Sequence, residues 1–107
     1  MTRLDNKVAL VTGAGRGLGQ ACAQIFARLG AKVVVADFNA DGGNETVDLI
    51  KNADGEAHFV NADISKSSDV QAMVRAAVEV YGGLDCAINN AVRGMPRTPL
   101  AEITEEN

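Results

Sequence analysis

A glycine-rich stretch, TGAGRGLG at residues 12–19, has the composition and spacing that most directly indicate chemistry. An apolar run, KVALVT at 7–12, predicts a buried strand before it, and apolar residues at helical spacing predict a helix after it. Between such elements Gly13 can turn tightly and Gly17 lets the backbone approach a pyrophosphate, which the N–H groups at the helix start would bind. Leu18 stands where the longer Gly-x-Gly-x-x-Gly fingerprint has glycine, so the spacing is Gly-x-x-x-Gly-x-Gly. The alternative is a flexible turn without a ligand.

A second candidate is Asp37, which ends the predicted strand AKVVVAD at 31–37 and follows Gly19 by 18 residues. A carboxylate there can accept hydrogen bonds from both ribose hydroxyls of an adenosine, and it repels a 2′-phosphate by about 1–4 kcal/mol. Asp37 therefore favours NAD. Arg16 is the opposing signal, because a guanidinium in the glycine-rich loop can reach a 2′-phosphate, so NADP stays the less favoured alternative. A helix-capping role is the alternative for Asp37.

Polar residues also follow the third and fourth predicted strands. In NADI, 61–64, Asp63 can accept a hydrogen bond from an adenine amino group while Ile64 covers the ring; capping of the next helix is the alternative. In NNAV, 89–92, the paired asparagines can tie backbone groups across the sheet or present an amide to the cofactor ribose, and both roles can hold.

Alternating strands and helices must position these loops, because right-handed crossovers build a parallel sheet with helices on both faces. The fold class is therefore α/β, a Rossmann-type doubly wound sheet, in which ligands bind at the carboxyl ends of the strands. The chain end, LAEITEEN, predicts the start of one more helix with Thr104 as its N-cap. The predicted strands are 7–12, 31–37, 56–63 and 84–91. One predicted helix follows the glycine-rich stretch, a second covers 44–55, and a third is capped by Ser67 or Ser68.

The composition is that of an ordinary globular protein: 107 residues, 47% hydrophobic and 22% charged, with a net charge of −4. We expect one domain, residues 1–107. Scattered lysines and arginines argue against nucleic-acid binding, and no apolar run has the length of a membrane span or an export signal, which predicts a cytoplasmic protein. Cys22 and Cys86 are isolated thiols without metal-ligand spacing, so we predict no metal site.

Taken together, these motifs resemble the short-chain dehydrogenase/reductase family, and the resemblance spans nearly the whole chain. TGAGRGLG is similar to its Thr-Gly-x-x-x-Gly-x-Gly motif, Asp37 to its NAD-selecting acid, NADI to its adenine contact, and NNAV to its Asn-Asn-Ala-Gly motif. Val92 replaces the final glycine of that motif, so the backbone beside the nicotinamide ribose has either less room or a different turn. The resemblance implies these cofactor contacts: Gly13, Arg16, Gly17, Leu18, Asp37, Asp63, Ile64, Asn90, Ala91 and Val92.

The family implies hydride transfer between a nicotinamide and a carbonyl or alcohol substrate, with a Tyr and a Lys four residues later as its acid/base pair. The only tyrosine here is Tyr81, and Asp85 stands four residues beyond it, so we expect Tyr81 to be a packing residue. The lone histidine, His58, lies within a predicted strand and is expected to be structural. We therefore predict no catalytic residue in this chain.

The sequence thus predicts the cofactor-binding half of such an enzyme, truncated on its C-terminal side. The resemblance implies the strand order 3-2-1-4, which would leave an open edge at the fourth strand. Such an edge invites association or unfolding. We expect the 107 residues alone to bind NAD weakly or not at all and to catalyse nothing, and the complete enzyme to be a homo-oligomer. The alternative is a non-enzymatic nucleotide-binding module or pseudoenzyme. The sequence does not identify the substrate.

Overall fold

The computed structural model describes residues 3–90 and a strand at Glu102–Glu105. Strands and helices alternate along the chain up to the fourth strand, and within the described ranges no helix is both long and apolar enough to cross a membrane. The elements are β1 (Val8–Thr12), α1 (Gly17–Arg28), β2 (Lys32–Asp37), α2 (Ala40–Asn52), β3 (Glu56–Asn61), α3 (Ser67–Tyr81), β4 (Cys86–Asn89) and β5 (Glu102–Glu105).

The first four strands form a parallel sheet in the order β3-β2-β1-β4, which confirms the predicted fold and strand order. All of β1 and the middle of β2 are buried, because helices cover both faces of the sheet. Val11 and Val35 point to the face that carries α1 and α2, whereas Leu10 and Val34 point to the face that carries α3. The uninterrupted apolar runs in the sequence therefore correspond to strands buried on both sides.

Helix α2 begins four residues before its predicted start. The side chain of Asn39 accepts a hydrogen bond from the backbone nitrogen of Gly42 at 3.1 Å and caps the helix. Gly42 and Gly43 lie inside the helix, where Gly43 packs directly beneath the ring of Phe59 and leaves no room for a side chain. The helix therefore keeps glycine for packing, at some expense in helix propensity.

The predicted serine cap of α3 is wrong. Its N-cap is Lys66, which has extended backbone and makes no side-chain capping bond, and Ser67 already belongs to the helix. The carboxylate of Asp69, in the first turn, instead accepts a hydrogen bond from the backbone nitrogen of Asp63 at 2.8 Å. An acidic residue in the first turn thus fixes the loop before the helix and also suits the helix dipole.

The predictions for the chain end are also wrong where the structure describes it. Glu102–Glu105 is a strand, not a helix start, and Thr104 lies within it opposite Ala87. This β5 strand pairs antiparallel with β4, so the edge of β4 that was expected to be open is covered over Cys86–Asn89. The pairing supplies backbone hydrogen bonds to an edge that would otherwise expose them, and this outweighs the local capping signal.

Candidate functional site

The carboxyl ends of the four parallel strands lie side by side at one end of the sheet. Thr12, the last residue of β1, is in register with Ala36 on one side and with Asn89 on the other. Asp37, the last residue of β2, is in register with Asn61, the last residue of β3. The loops singled out in the sequence therefore start side by side, as a doubly wound sheet requires of a ligand site.

The glycine-rich loop leads into a helix N-terminus that no side chain caps. Gly13 and Gly17 have φ angles of 63° and 61°, a left-handed conformation that favours glycine. Arg16, the N-cap of α1, has extended backbone and makes no capping bond, and the first turn holds no acidic residue. Helix α2, by contrast, has the Asn39 cap and Asp41 in its first turn. The N–H groups at the start of α1 are therefore suited to receive an anion.

The surface around this helix start is open. Apart from its chain neighbours and the backbone of its own helix, a Cβ on Gly17 would have no described atom within 4 Å. The side chain of Arg16 is exposed, and that of Leu18 is 66% exposed although it is apolar. A cation and an uncovered apolar side chain therefore flank the helix N-terminus, an arrangement that a ligand with phosphate and apolar parts would cover.

Thr12 and the asparagine pair fasten the glycine-rich loop to β4. The Thr12 hydroxyl donates to Asn89 Oδ1 at 2.9 Å and accepts from the backbone nitrogen of Asn90 at 2.9 Å. The Asn90 side-chain nitrogen lies against Gly19, where a Cβ would stand only 2.8 Å from it. The link between the strands therefore uses the Thr12 hydroxyl, the Asn89 side chain and the Asn90 backbone, and not the predicted contact of asparagine side chains with backbone groups. The contact of the asparagines with a ribose stays a prediction. Ala91 and Val92 lie outside the described residues.

Asp37 lies between the glycine-rich loop and the start of α2. Its Oδ2 accepts from the backbone nitrogen of Gly15 at 2.8 Å, and its Oδ1 accepts from that of Asn39 at 2.8 Å. The helix cap is Asn39, so the capping role considered for Asp37 is not the one it has. Each carboxylate oxygen has a second lone pair, so these two bonds leave Asp37 able to accept from a ribose hydroxyl as well.

Asp63 and Ile64 follow the end of β3. Asp63 Oδ1 accepts from the backbone nitrogen of Ser65 at 2.9 Å and from its hydroxyl at 2.7 Å, which closes the turn before α3. Ile64 is partly exposed and packs at the border of the core beneath α3. Closing this turn is not the helix-capping role considered for Asp63, because the N-cap of α3 is Lys66. The adenine contact of both residues stays a prediction.

Several residues that support these loops carried no sequence signal strong enough to single them out. The Asn61 side chain donates to the backbone oxygens of Asp37 and Phe38, at 3.2 and 3.0 Å, and so holds the loop after β2. Its position at a strand end, inside the NADI stretch, was the available signal. Thr46 and Gln20 contact the glycine-rich loop from two helices, and nothing in their spacing indicates it.

Tyr81 and Asp85 lie at the opposite end of the sheet, where the parallel strands begin. Tyr81 ends α3, and its ring centroid lies 5.9 Å from Lys32 Nζ at the start of β2. Burial, and then the negative charge of Glu56, raises the pKa of Tyr81 above its ordinary value. Asp85 accepts a hydrogen bond from the backbone nitrogen of Val8 at 2.7 Å, at the start of β1. Both side chains therefore have structural surroundings, as the sequence predicted for Tyr81.

Comparison with known proteins gives the same family as the motifs. The model of the short chain dehydrogenase family matches residues 7–107. An uncharacterized oxidoreductase of Thermotoga maritima is 41% identical over 103 residues, which are 92% of this chain and 40% of that protein. The short-chain dehydrogenase/reductase homolog YusS of Bacillus subtilis is 42% identical over 104 residues, 94% of this chain and 95% of YusS.

Solved structures agree. A 7α-hydroxysteroid dehydrogenase in complex with NADH and 7-oxo glycochenodeoxycholic acid is 42% identical, with a TM-score of 0.84 over 89% of this chain and 37% of that one. The chain thus spans about 40% of the length of the Thermotoga relative and a similar share of the solved enzyme. The four-strand sheet, its loops and these matches together assign the chain to the short-chain dehydrogenase/reductase family.

Proposed function

We propose that this chain provides the dinucleotide site of an oxidoreductase that transfers hydride between a nicotinamide and a carbonyl or alcohol substrate. The observation that carries the proposal is the uncapped N-terminus of α1, with Gly13 and Gly17 in left-handed conformations and the carboxylate of Asp37 at the next strand end. A dinucleotide needs both features: N–H groups for its pyrophosphate and an acceptor for its ribose.

In this proposal each loop binds one part of the cofactor. The glycine-rich loop, with Arg16 and Leu18 beside it, binds the pyrophosphate, and Asp37 accepts hydrogen bonds from the adenosine ribose. Asp63 and Ile64 border the adenine. Asn90, Ala91 and Val92 contact the nicotinamide ribose, and the valine in place of glycine leaves less space there. The bound cofactor would supply the hydride chemistry, and the residues of this chain would hold it in place.

We propose NAD, and not NADP, as the preferred cofactor. The Asp37 carboxylate is held in place by two backbone nitrogens, so it cannot easily turn away from a 2′-phosphate. Arg16 offers a positive charge in the same loop, but its side chain is exposed and its attraction is therefore screened. Calorimetric titration with NADH and with NADPH tests the preference: the proposal predicts weaker binding of NADPH, and equal or tighter NADPH binding would contradict it.

The chain alone is proposed to be inactive, because the family's acid/base pair has no counterpart in it. The only tyrosine of the sequence, Tyr81, lies beside Lys32 at the end of the sheet where the strands begin, away from the proposed cofactor site. NADH oxidation by the purified chain, followed with a panel of ketones, should stay at the rate of a protein-free control. Steady turnover would refute this part of the proposal. The cytoplasmic location and the homo-oligomeric state of a complete enzyme stay predictions from the sequence.

A second candidate function is a nucleotide-binding module without catalysis. The similarity to YusS favours it, because that relative is matched over 95% of its length by a chain of this size. A stable, folded 107-residue monomer in solution would support the module. A chain that becomes soluble and active only when joined to the remaining length found in the longer relatives would support the oxidoreductase.

A further inference from the structure

A buried threonine of α2 holds the back of the glycine-rich loop. Thr46 is completely buried, and its hydroxyl lies 2.6 Å from the backbone oxygen of Ala14, to which it donates. The same hydroxyl accepts from Gln20 Nε2 at 3.0 Å. The backbone oxygen of Gly42, one turn earlier in α2, is a more distant acceptor at 3.1 Å. The Thr46 hydroxyl therefore connects α2, α1 and the loop between β1 and α1.

The backbone of α2 also touches this loop directly. A Cβ on Gly42 would stand 2.7 Å from the backbone oxygen of Gly15, so only glycine allows the two segments to approach this closely. Gln20 Nε2 lies 3.4 Å from the same oxygen. The carbonyl oxygens of Ala14 and Gly15 are thus both held on the α2 side of the loop.

Holding these oxygens fixes the direction of the N–H groups that follow them. In a planar trans peptide the C=O and the next N–H point in opposite directions. With the Ala14 oxygen turned towards Thr46, the Gly15 N–H points the other way, and there it donates to Asp37. By the same geometry the Gly15 oxygen directs the N–H of Arg16, the N-cap of α1. Contacts made by Thr46, Gly42 and Gln20 therefore orient the N–H groups of Gly15 and Arg16.

We propose that Thr46 is a positioning residue of the dinucleotide site, acting through the Ala14 carbonyl and not by contact with the ligand. The effect on nucleotide binding rests on the proposed function. The claim that Thr46 holds the glycine-rich loop in place does not depend on it. If the loop occupies the binding conformation for only part of the time, the apparent affinity equals the intrinsic affinity multiplied by that fraction. A contact that holds the loop in this conformation therefore raises the apparent affinity.

The test compares Thr46→Val with Thr46→Ser. Valine has nearly the same shape but cannot donate to Ala14 or accept from Gln20, whereas serine keeps the hydroxyl. The matched control is Ile50→Val, a core change one turn further along α2 and on the same buried side of the helix. The readout is hydrogen exchange, by NMR, of the amides of Ala14 and Gly15, both of which are hydrogen-bonded in the loop.

Thr46→Val should speed exchange at Ala14 and Gly15 by about fivefold relative to the β2 amides, the effect of one lost hydrogen bond. Thr46→Ser should stay within about twofold of the parent, since its hydroxyl can still donate. Ile50→Val should change the loop and β2 amides by the same factor. Equal factors for loop and β2 in Thr46→Val would overturn the proposal, whatever the overall stability of that variant.

NADH titration of the same proteins separates this inference from the proposed function. If the parent binds NADH, Thr46→Val should weaken binding by about fivefold, and Thr46→Ser should restore it. Unchanged NADH affinity together with faster loop exchange would overturn the positioning role in binding. If the parent binds no NADH at any attainable concentration, the titration is repeated with the chain joined to the remaining length found in the longer relatives. Absence of binding there refutes the proposed function, while the exchange result still decides whether Thr46 holds the loop.

Discussion

Replacing Asp37 by asparagine should destabilise the protein more than the loss of an exposed charge would. The carboxylate accepts one backbone N–H on each oxygen, at 2.8 Å to Gly15 and 2.8 Å to Asn39. Asparagine has a single oxygen, so one N–H would lose its acceptor and face an NH₂ group. A hydrogen bond to a charged group contributes about 1.5–3 kcal/mol, and some solvent access reduces this, so we expect a loss of about 1–2 kcal/mol.

Urea unfolding measures this change, and Asp41→Asn is its matched control. Asp41 is an exposed acid in the first turn of α2, so its replacement removes the same charge and costs about 0.3–0.5 kcal/mol through the helix dipole. Asp37→Asn should also bring the NADPH affinity closer to that of NADH, since the charge that opposes a 2′-phosphate is gone. A loss of stability no larger than that of Asp41→Asn would refute the idea that Asp37 ties the two loops together.

The other predictions concern close packing and pH. Gly19→Ala should lower the free energy of unfolding by about 1–3 kcal/mol, because its methyl group would overlap the backbone oxygen of Gly13; Gly83→Ala, whose added methyl would meet no described atom within 4 Å, is the neutral control in thermal denaturation. The pKa of Tyr81 is raised above 10.0 in the folded protein, so as the pH rises the tyrosine ionises first in the unfolded chain. The contribution of Tyr81 to the free energy of unfolding is therefore constant below about pH 10 and decreases above it. Tyr81→Phe should remove that part of the alkaline decline in the urea midpoint, and an unchanged decline would contradict it.

Local pattern was enough to predict the sheet and the loops at its edge. Apolar runs that end at glycine or aspartate, such as the one before Asp37, are typical of strands buried on both faces, and helical spacing between them determines the alternation. Once the alternation is recognised, the handedness of crossovers leaves few arrangements, and the family resemblance implied which of them is present, the order β3-β2-β1-β4. The alternation and the loops depend on near neighbours in sequence, which is why local pattern could predict them.

The features that were missed depend on contacts between distant residues. Thr46 is one of many polar residues in a helix, and its contact with Ala14, 32 residues away, appears only when α2 packs against the loop. The pairing of Glu102–Glu105 with β4 likewise satisfies the edge of a strand that lies more than ten residues earlier in the chain. A capping signal at Thr104 is local and weak, and strand pairing outweighed it.

The most direct test of the dinucleotide site is an NMR titration of the ¹⁵N-labelled chain with millimolar NADH. The account predicts that the largest changes in amide chemical shift occur in the glycine-rich loop, Gly13–Leu18, and around Asp37. The amides near Tyr81, at the opposite end of the sheet, should keep their chemical shifts. Shifts that lie near Tyr81 instead would contradict it, and so would loop amides that still do not move when the chain is joined to the remaining length found in the longer relatives.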